Sequence, residues 1–137
     1  MVEHYHLRVS TRGRRTYEIT RDVSRLVRES GIKSGLCTLF IRHCSASLLI
    51  NENADSSVQR DLWRFLEKLA PDNDPDYEHI YEGSDDMPAH IKSALLAVSL
   101  SIPIMDGALA LGTWQGIYLW EHRVRAHERT VIVTVVG

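Results

Sequence analysis

Apolar and polar residues alternate from His4 to Ser10, with Tyr5, Leu7 and Val9 on one face, which predicts an opening strand. Gly13 suits a hairpin turn into a second strand over Thr16 to Ile19. From Thr20 the period changes. Val23, Leu26 and Val27 follow i, i+3, i+4 spacing, so a helix is expected from a Thr20 cap to a stop at Gly31. Gly35 to Ile50, rich in Leu, Ile, Phe and Thr, supplies one long strand or two. Asp55 can cap a second helix with the apolar stripe Val58, Leu62, Phe65, Leu66 and Leu69, stopped by Pro71. Residues 71–86 form an acidic loop, long for a compact domain, and long loops often carry function. Pro88 fits the first turn of a third helix capped by Asp85 or Asp86, with Ile91, Leu95 and Val98 as its buried stripe. Leu100 to Ile104 is a short strand, which Pro103 places at an edge or at its own end. Leu109 to Arg123 and Thr130 to Val136 are the last strands. The tail Thr130 to Val136 is apolar on both faces, so helices or another subunit should cover both sides.

The order β-β-α-β-α-α-β-β-β does not alternate strictly, which argues against a doubly wound parallel sheet and for an α+β fold with largely antiparallel sheet. At 137 residues the chain is expected to be a single domain, 1–137, with a core that needs no disulfide or metal staple. A formal net charge of −2 leaves no electrostatic footprint for nucleic acid or an anionic membrane. The local cluster Arg12-Gly13-Arg14-Arg15 could bind phosphate, but reads first as a two-strand turn with solvated arginines. Cys37 and Cys44 sit at opposite ends of one strand run, beyond disulfide reach, and are expected to be buried free thiols in a reducing compartment. There is no signal peptide and no apolar run of transmembrane length, so the cytoplasm is the expected location.

The richest stretch chemically runs from His79 to Lys92. It holds two histidines, several carboxylates and a lysine where a loop enters a helix, so backbone N–H groups are free. Asp86 and His90, four apart, share a helix face, and a carboxylate there fixes the imidazole tautomer and raises its basicity. Lys92, near a helix start where the macrodipole disfavours cations, is a candidate anion ligand. Within His43-Cys44-Ser45-Ala46-Ser47, strand geometry points His43, Ser45 and Ser47 the same way into a polar pocket. Asn51 and Glu52 follow at a strand end, where ligands commonly bind. In the run from Gly112 to Arg123, His122 shares the aromatic face of Trp114, Tyr118 and Trp120. Arg123 offers a bidentate fork to phosphate or carboxylate, or an ion pair with Glu121 or a nearby acid. His4, His6 and His127 read as solvent-facing.

Three segments together carry a family resemblance. They are His43 to Asp55, with Ser45-Ala46-Ser47-Leu48 and Ile50-Asn51-Glu52-Asn53-Ala54-Asp55; Glu82 to Lys92; and Leu111 to Leu119 with Glu121-His122-Arg123. On them the chain resembles the YjbQ family, also called the uncharacterised protein family 0047, over nearly its whole length. The resemblance implies two packed sheets with about three helices, a homotrimer, and a small pocket near a subunit boundary lined by the motif histidines and acids. It also implies a secondary, weak thiamine-phosphate synthase activity, in which a pyrimidine methyl diphosphate is joined to a thiazole phosphate and pyrophosphate departs. Members often carry a cysteine before the Glu-His-Arg triplet. Trp120 stands there in this chain, so a thiol mechanism at that point is closed to it.

The leading expectation is therefore a transferase-type enzyme acting on a small phosphorylated metabolite. Its candidate catalytic residues are His43, Glu52, Asp86, His90 and His122. The candidate substrate or anion ligands are Ser45, Asn51, Lys92, Thr113, Gln115 and Arg123. A divalent metal, Mg or Zn, would assist. Asp86, Glu52 and Glu121 are candidates to hold a hard cation. The rival readings are a metal-dependent hydrolase with zinc on His79, His90 and His122, and a non-catalytic trimeric module that binds an anionic metabolite. A nucleic-acid or membrane partner is not expected.

Overall fold

The structure is a computed structural model and describes residues 1–137. Its elements are β1 (Val2–Ser10), β2 (Arg15–Glu18), α1 (Thr20–Ser30), β3 (Gly35–Ile41), β4 (Ala46–Glu52), α2 (Ser56–Leu69), α3 (Asp86–Leu95), β5 (Ser99–Met105), β6 (Ala108–Leu109), β7 (Gln115–Glu121) and β8 (Glu128–Val136). They form two antiparallel sheets, a five-stranded one ordered β1-β8-β3-β5-β6 and a three-stranded one ordered β2-β7-β4. This is the expected α+β class. No helix is long and apolar enough to cross a membrane.

The core lies between the sheets. Alternation puts Leu7, Val9, Leu39, Ile41, Ile102, Ile104, Val131, Val133 and Val135 on the inner face of the large sheet. Ala46, Leu48, Ile117 and Leu119 face them from the small one, and Val23, Leu26 and Val27 of α1 join the same cluster. Gly31 ends α1 in the left-handed conformation, with φ of 72°, and its N–H caps Arg28. Asp55 caps α2 by accepting from the Ser57 N–H.

Several local expectations fail, each because a turn or a period identifies an element but not its partner. Gly13 does not close a hairpin. β1 pairs with β8 and β2 with β7, so this turn carries the chain from one sheet to the other. Tyr17 secures it, with its hydroxyl donating to the Gly13 carbonyl and accepting from the Arg12 N–H. The run from Gly35 to Ile50 divides in the same way, β3 into the large sheet and β4 into the small one. Cys37 is buried, its thiol pushed up to about 11 by burial, but Cys44 lies in the link between the sheets and is exposed. Thr20 does not cap α1; its hydroxyl accepts from the Ile117 N–H and donates to Glu18, stitching the helix start to β7. Asp85 does not cap α3 with its side chain either. The β8 tail is covered on one side only within the chain, and Leu36 and Phe40 stand exposed on the uncovered face beside it.

The helices that cover the outside of the small sheet depart furthest. On α2, Leu66 and Gln59 are buried while Phe65 and Leu69 are exposed. On α3 the expected stripe is turned around. Asp86, Pro88, Ala89, Lys92 and Ser93 are buried, whereas Leu95 is exposed, and Val98, expected on the same stripe, lies beyond the helix end and is exposed too. A polar helix face turned inward needs partners for its charges, and those partners build the site.

The two sheets are tied by one buried ion pair. Glu121, at the end of β7, is fully buried, and Arg129, at the start of β8, is 4% exposed. Arg129 donates to both Glu121 carboxylate oxygens and, through Nη2, to the Ser45 hydroxyl at 2.9 Å. The Thr11 hydroxyl, just past β1, also donates to Glu121, at 2.6 Å. Burial pulls the Glu121 carboxyl up, but Arg129 and Thr11 outweigh it and hold the group below its usual range. Removing one partner strands a buried charge, so Arg129→Leu should destabilise the fold by about 3–5 kcal/mol. Adding Glu121→Gln to Arg129→Leu should recover a substantial part of that loss. Urea unfolding of the two variants checks this, and equal stability of the single and double variants would contradict it.

Candidate functional site

The site begins where β7 ends. Glu121 accepts from the Arg123 N–H at 3.2 Å, and His122 donates its backbone N–H to the Ser45 carbonyl. These bonds fix the strand exit so that the two side chains diverge. His122 turns under the small sheet and Arg123 turns towards the start of α3.

Arg123 is the organiser. Its Nε donates to Asp85 at 3.0 Å, Nη1 to Asp86 Oδ1 at 2.7 Å and Nη2 to the Glu82 carbonyl at 2.8 Å. Asp85 also accepts from the Val124 N–H. Burial raises the Asp85 carboxyl, but Arg123 and this N–H more than offset it and hold it below the usual range. Gly83, with φ of 103°, allows the bend that brings the Glu82 carbonyl to the guanidinium. Of the alternatives open for Arg123, the ion pair is the one formed, with Asp85 and Asp86 rather than Glu121.

With Oδ1 held by Arg123, Asp86 presents Oδ2 to two imidazoles. His79 Nε2 lies at 2.7 Å and His90 Nε2 at 3.2 Å, and the rings meet edge to face at 5.4 Å. Asp86 is buried, His90 is 35% exposed and His79 is 45% exposed, so the cluster opens to solvent on the imidazole side. These three ligand atoms all lie within 4.8 Å of one another. Donors around a divalent cation at about 2.1 Å sit about 3–3.5 Å apart, so small ring rotations would seat one. The helical spacing of Asp86 and His90 pointed to this pair; the loop fold adds His79.

His122, expected as the third metal ligand, is not in this set. It is fully buried, tilted against Trp120 at 5.7 Å, with Nε2 2.8 Å from the Ser47 hydroxyl and Nδ1 without a partner. Burial first, then the charges of Lys92, Arg129 and Arg14, lower its pKa to about 3. A histidine so depressed is neutral at physiological pH and a weak base.

Lys92 is fully buried and donates to Glu67 at 3.1 Å. Burial lowers its pKa, opposed by Glu67. It stands in the last turn of α3, not near a helix start, because α3 closes at Leu95. Arg14 is not a solvated turn residue. It bonds Glu67 and, at 2.7 Å, Asp72.

The other candidates lie elsewhere. His43 and Ser45 belong to the link before β4. His43 Nε2 accepts from the Thr130 N–H at 2.9 Å, the Ser45 hydroxyl accepts from Arg129, and of the three side chains only Ser47 reaches the His122 ring. Burial and the Arg129 charge lower the His43 pKa. Asn51, Glu52, Thr113 and Gln115 lie at the far end of the β4–β7 pair. Ala46 is opposite Glu121 and Glu52 is opposite Gln115, six residues or about 20 Å along the strand. Gln115 closes a turn by accepting from the Gly112 N–H. Glu121 is engaged by Arg129, Thr11 and Arg123, leaving no oxygen for a cation. Arg129 and Glu67 escaped the sequence reading. Arg129 had one signal: it falls in the buried phase of β8 with Val131, Val133 and Val135.

The model of the UPF0047 protein YjbQ-like family matches residues 5–137. The chain is 52% identical to a UPF0047 protein of Synechocystis, over 94% of this chain and 88% of that one. It is 43% identical to the UPF0047 protein YjbQ of Escherichia coli O157:H7, over 96% and 95%. Among solved structures, an uncharacterised YjbQ/UPF0047 protein of Clostridium acetobutylicum shares 40% identity with a TM-score of 0.85, covering 98% of this chain and 99% of that one. A hypothetical protein of Aeropyrum pernix K1 superimposes with a TM-score of 0.90 at 27% identity, covering 98% of each.

The His122 shift has a pH signature. The unfolded chain takes up a proton near pH 6.5 that the folded chain refuses until about 3, so stability falls as pH drops through this window. Between pH 7.5 and 5 this amounts to about 2 kcal/mol. Denaturant unfolding at the two pH values should show the loss, and His122→Gln should remove most of it. The Glu121 and Asp85 carboxyls contribute the same sign only at lower pH. An unchanged slope in the variant would contradict the assignment.

Proposed function

This chain belongs to the UPF0047 YjbQ-like family, and from that premise we propose that it is a cation-dependent enzyme acting on a small phosphorylated metabolite. The observation that carries the reading is Asp86, buried, with one oxygen fixed by Arg123 and the other facing His79 and His90 on the open side. Two imidazoles and a carboxylate suit a divalent cation and leave positions for substrate or water. Such a cation would neutralise charge building on a phosphate or diphosphate leaving group.

The reaction proposed first is C–N bond formation of the thiamine-phosphate synthase type. A thiazole nitrogen attacks the pyrimidine methylene carbon, the C–O bond to the diphosphate breaks, and its electron pair leaves with pyrophosphate. No oxidant or reductant is needed. His90 would hold the cation together with His79 and Asp86, and the cation would stabilise the negative charge on the departing pyrophosphate. Arg123 acts as a positioning residue that holds Asp86. The second reading, hydrolysis of a phosphate ester, is favoured by the same donor set, since three protein ligands leave a place for water. Assembly as a homotrimer is supported by the uncovered face of the large sheet and by Leu95 and Val98 outside α3. A site at a subunit boundary would also accommodate Asn51, Thr113 and Gln115, which lie far from Asp86 in their own chain.

The test is turnover by metal-stripped protein resupplied with Mg, Mn or Zn, on the two thiamine precursors and on a panel of phosphate esters. Activity should return with metal. Asp86→Asn and His90→Ala should each lower kcat by about 100-fold or more, and Arg123→Met by about 10–100-fold. Full activity in stripped protein, or in Asp86→Asn, would contradict the proposal. Saturable ligand binding with no product across the panel would establish the non-catalytic alternative.

A further inference from the structure

A sizeable cavity lies away from the histidine cluster. It is about 660 Å³ and opens between α2 and the turn that precedes β2, with Arg14, Arg60, Trp63, Arg64 and Lys68 on its walls. We propose that this groove is a binding site for an organic di- or triphosphate, separate from the site at Asp86. The phosphates would lie along the four cations and the organic body against Trp63 and Val124.

The charge pattern is the first argument. Arg60, Arg64 and Lys68 recur every four residues and form one stripe along α2. Like charges at that spacing destabilise a helix, and none of the three forms an ion pair with a carboxylate. In a chain of net charge −2, three cations without carboxylate partners on one helix face concentrate positive potential along this groove. Arg14 forms the floor, its side chain 14% exposed and oriented by Glu67 and Asp72. The two carboxylates in the wall leave the cations in excess.

Incomplete hydrogen bonding is the second argument. Arg14 Nε and Asp72 Oδ1 are both buried without a partner. The Arg14 Nε–H is a donor that a phosphate oxygen would satisfy, whereas Asp72 Oδ1 is an acceptor and calls for a donor such as a hydroxyl on the ligand's organic body. The third is the apolar wall. Trp63 is fixed by its indole N–H donating to Thr16 at 2.9 Å, and Arg15 lies over its ring at 5.9 Å. A rigid, half-buried indole beside a row of guanidinium groups suits a ligand with both a ring and several phosphates. The volume suits a ligand of nucleotide size.

ATP, without added metal, is the probe, with binding read by tryptophan fluorescence and by calorimetry on the full chain. Saturable binding should weaken at least tenfold in Arg64→Glu and in Lys68→Glu, surface changes that leave the fold intact by thermal unfolding. His90→Ala, which disables the cation site, should bind ATP as the parent does, so failure of the groove and failure of the proposed reaction are told apart. Absence of saturation at millimolar ATP, or equal affinity in the charge-reversed variants, would overturn the proposal.

Discussion

The carboxylate of Glu121 is the group on which the rest of the structure depends. A fully buried charge at the end of β7 is untenable without a counter-charge and a complete set of donors. Arg129 reaches it from the large sheet, Thr11 from the end of β1, and the Arg123 N–H from its own chain. One side chain thereby fixes where two sheets meet and the direction in which the chain leaves β7. His122 and Arg123 follow in sequence and are aimed by that exit, one into the interior and one across to α3. The candidate site depends on a structural ion pair it does not contain.

The second constraint is that α3 turns its charges inward. Asp86 meets Arg123 and two histidines, and Lys92 meets Glu67. Leu95 and Val98 are left outside. A helix of this kind gains little from burying its own apolar residues and is held by ion pairs to Arg123, just past β7, and to Glu67 on α2. The arrangement makes sense if a functional carboxylate has to be held rigid while its imidazole partners stay accessible. It also adds to the shift of His122, which burial lowers first and the charges of Lys92, Arg129 and Arg14 lower further.

Local signals carried most strands, α1 with its Gly31 stop, the Asp55 cap, and the pairing of Asp86 with His90. The α+β class and the antiparallel sheets followed from them. The run Leu109 to Arg123, expected as one strand, divides into β6 of the large sheet and β7 of the small one. What escaped required knowledge of partners. Gly13 announces a reversal but not that β1 and β2 join different sheets. Ile91, Leu95 and Val98 satisfy the helical period, and so does the set Asp86, Ala89, Lys92 and Ser93; only tertiary packing decides which goes inside. Arg14 looked solvated because Glu67 and Asp72 are distant in sequence. His79 is legible as a candidate ligand, but its meeting with Asp86 is set by the loop's path, which no periodicity encodes.

The central claim is that His79, Asp86 and His90 form a divalent-cation centre. Its most direct test is anomalous diffraction from crystals of the protein grown with Mn or Zn, recorded at the metal's absorption edge. The account predicts a peak bounded by Asp86 Oδ2 and the Nε2 atoms of His79 and His90, with Arg123 still on Asp86 Oδ1. A map with no peak there, and the two imidazoles still bonded directly to the carboxylate at saturating metal, would contradict it.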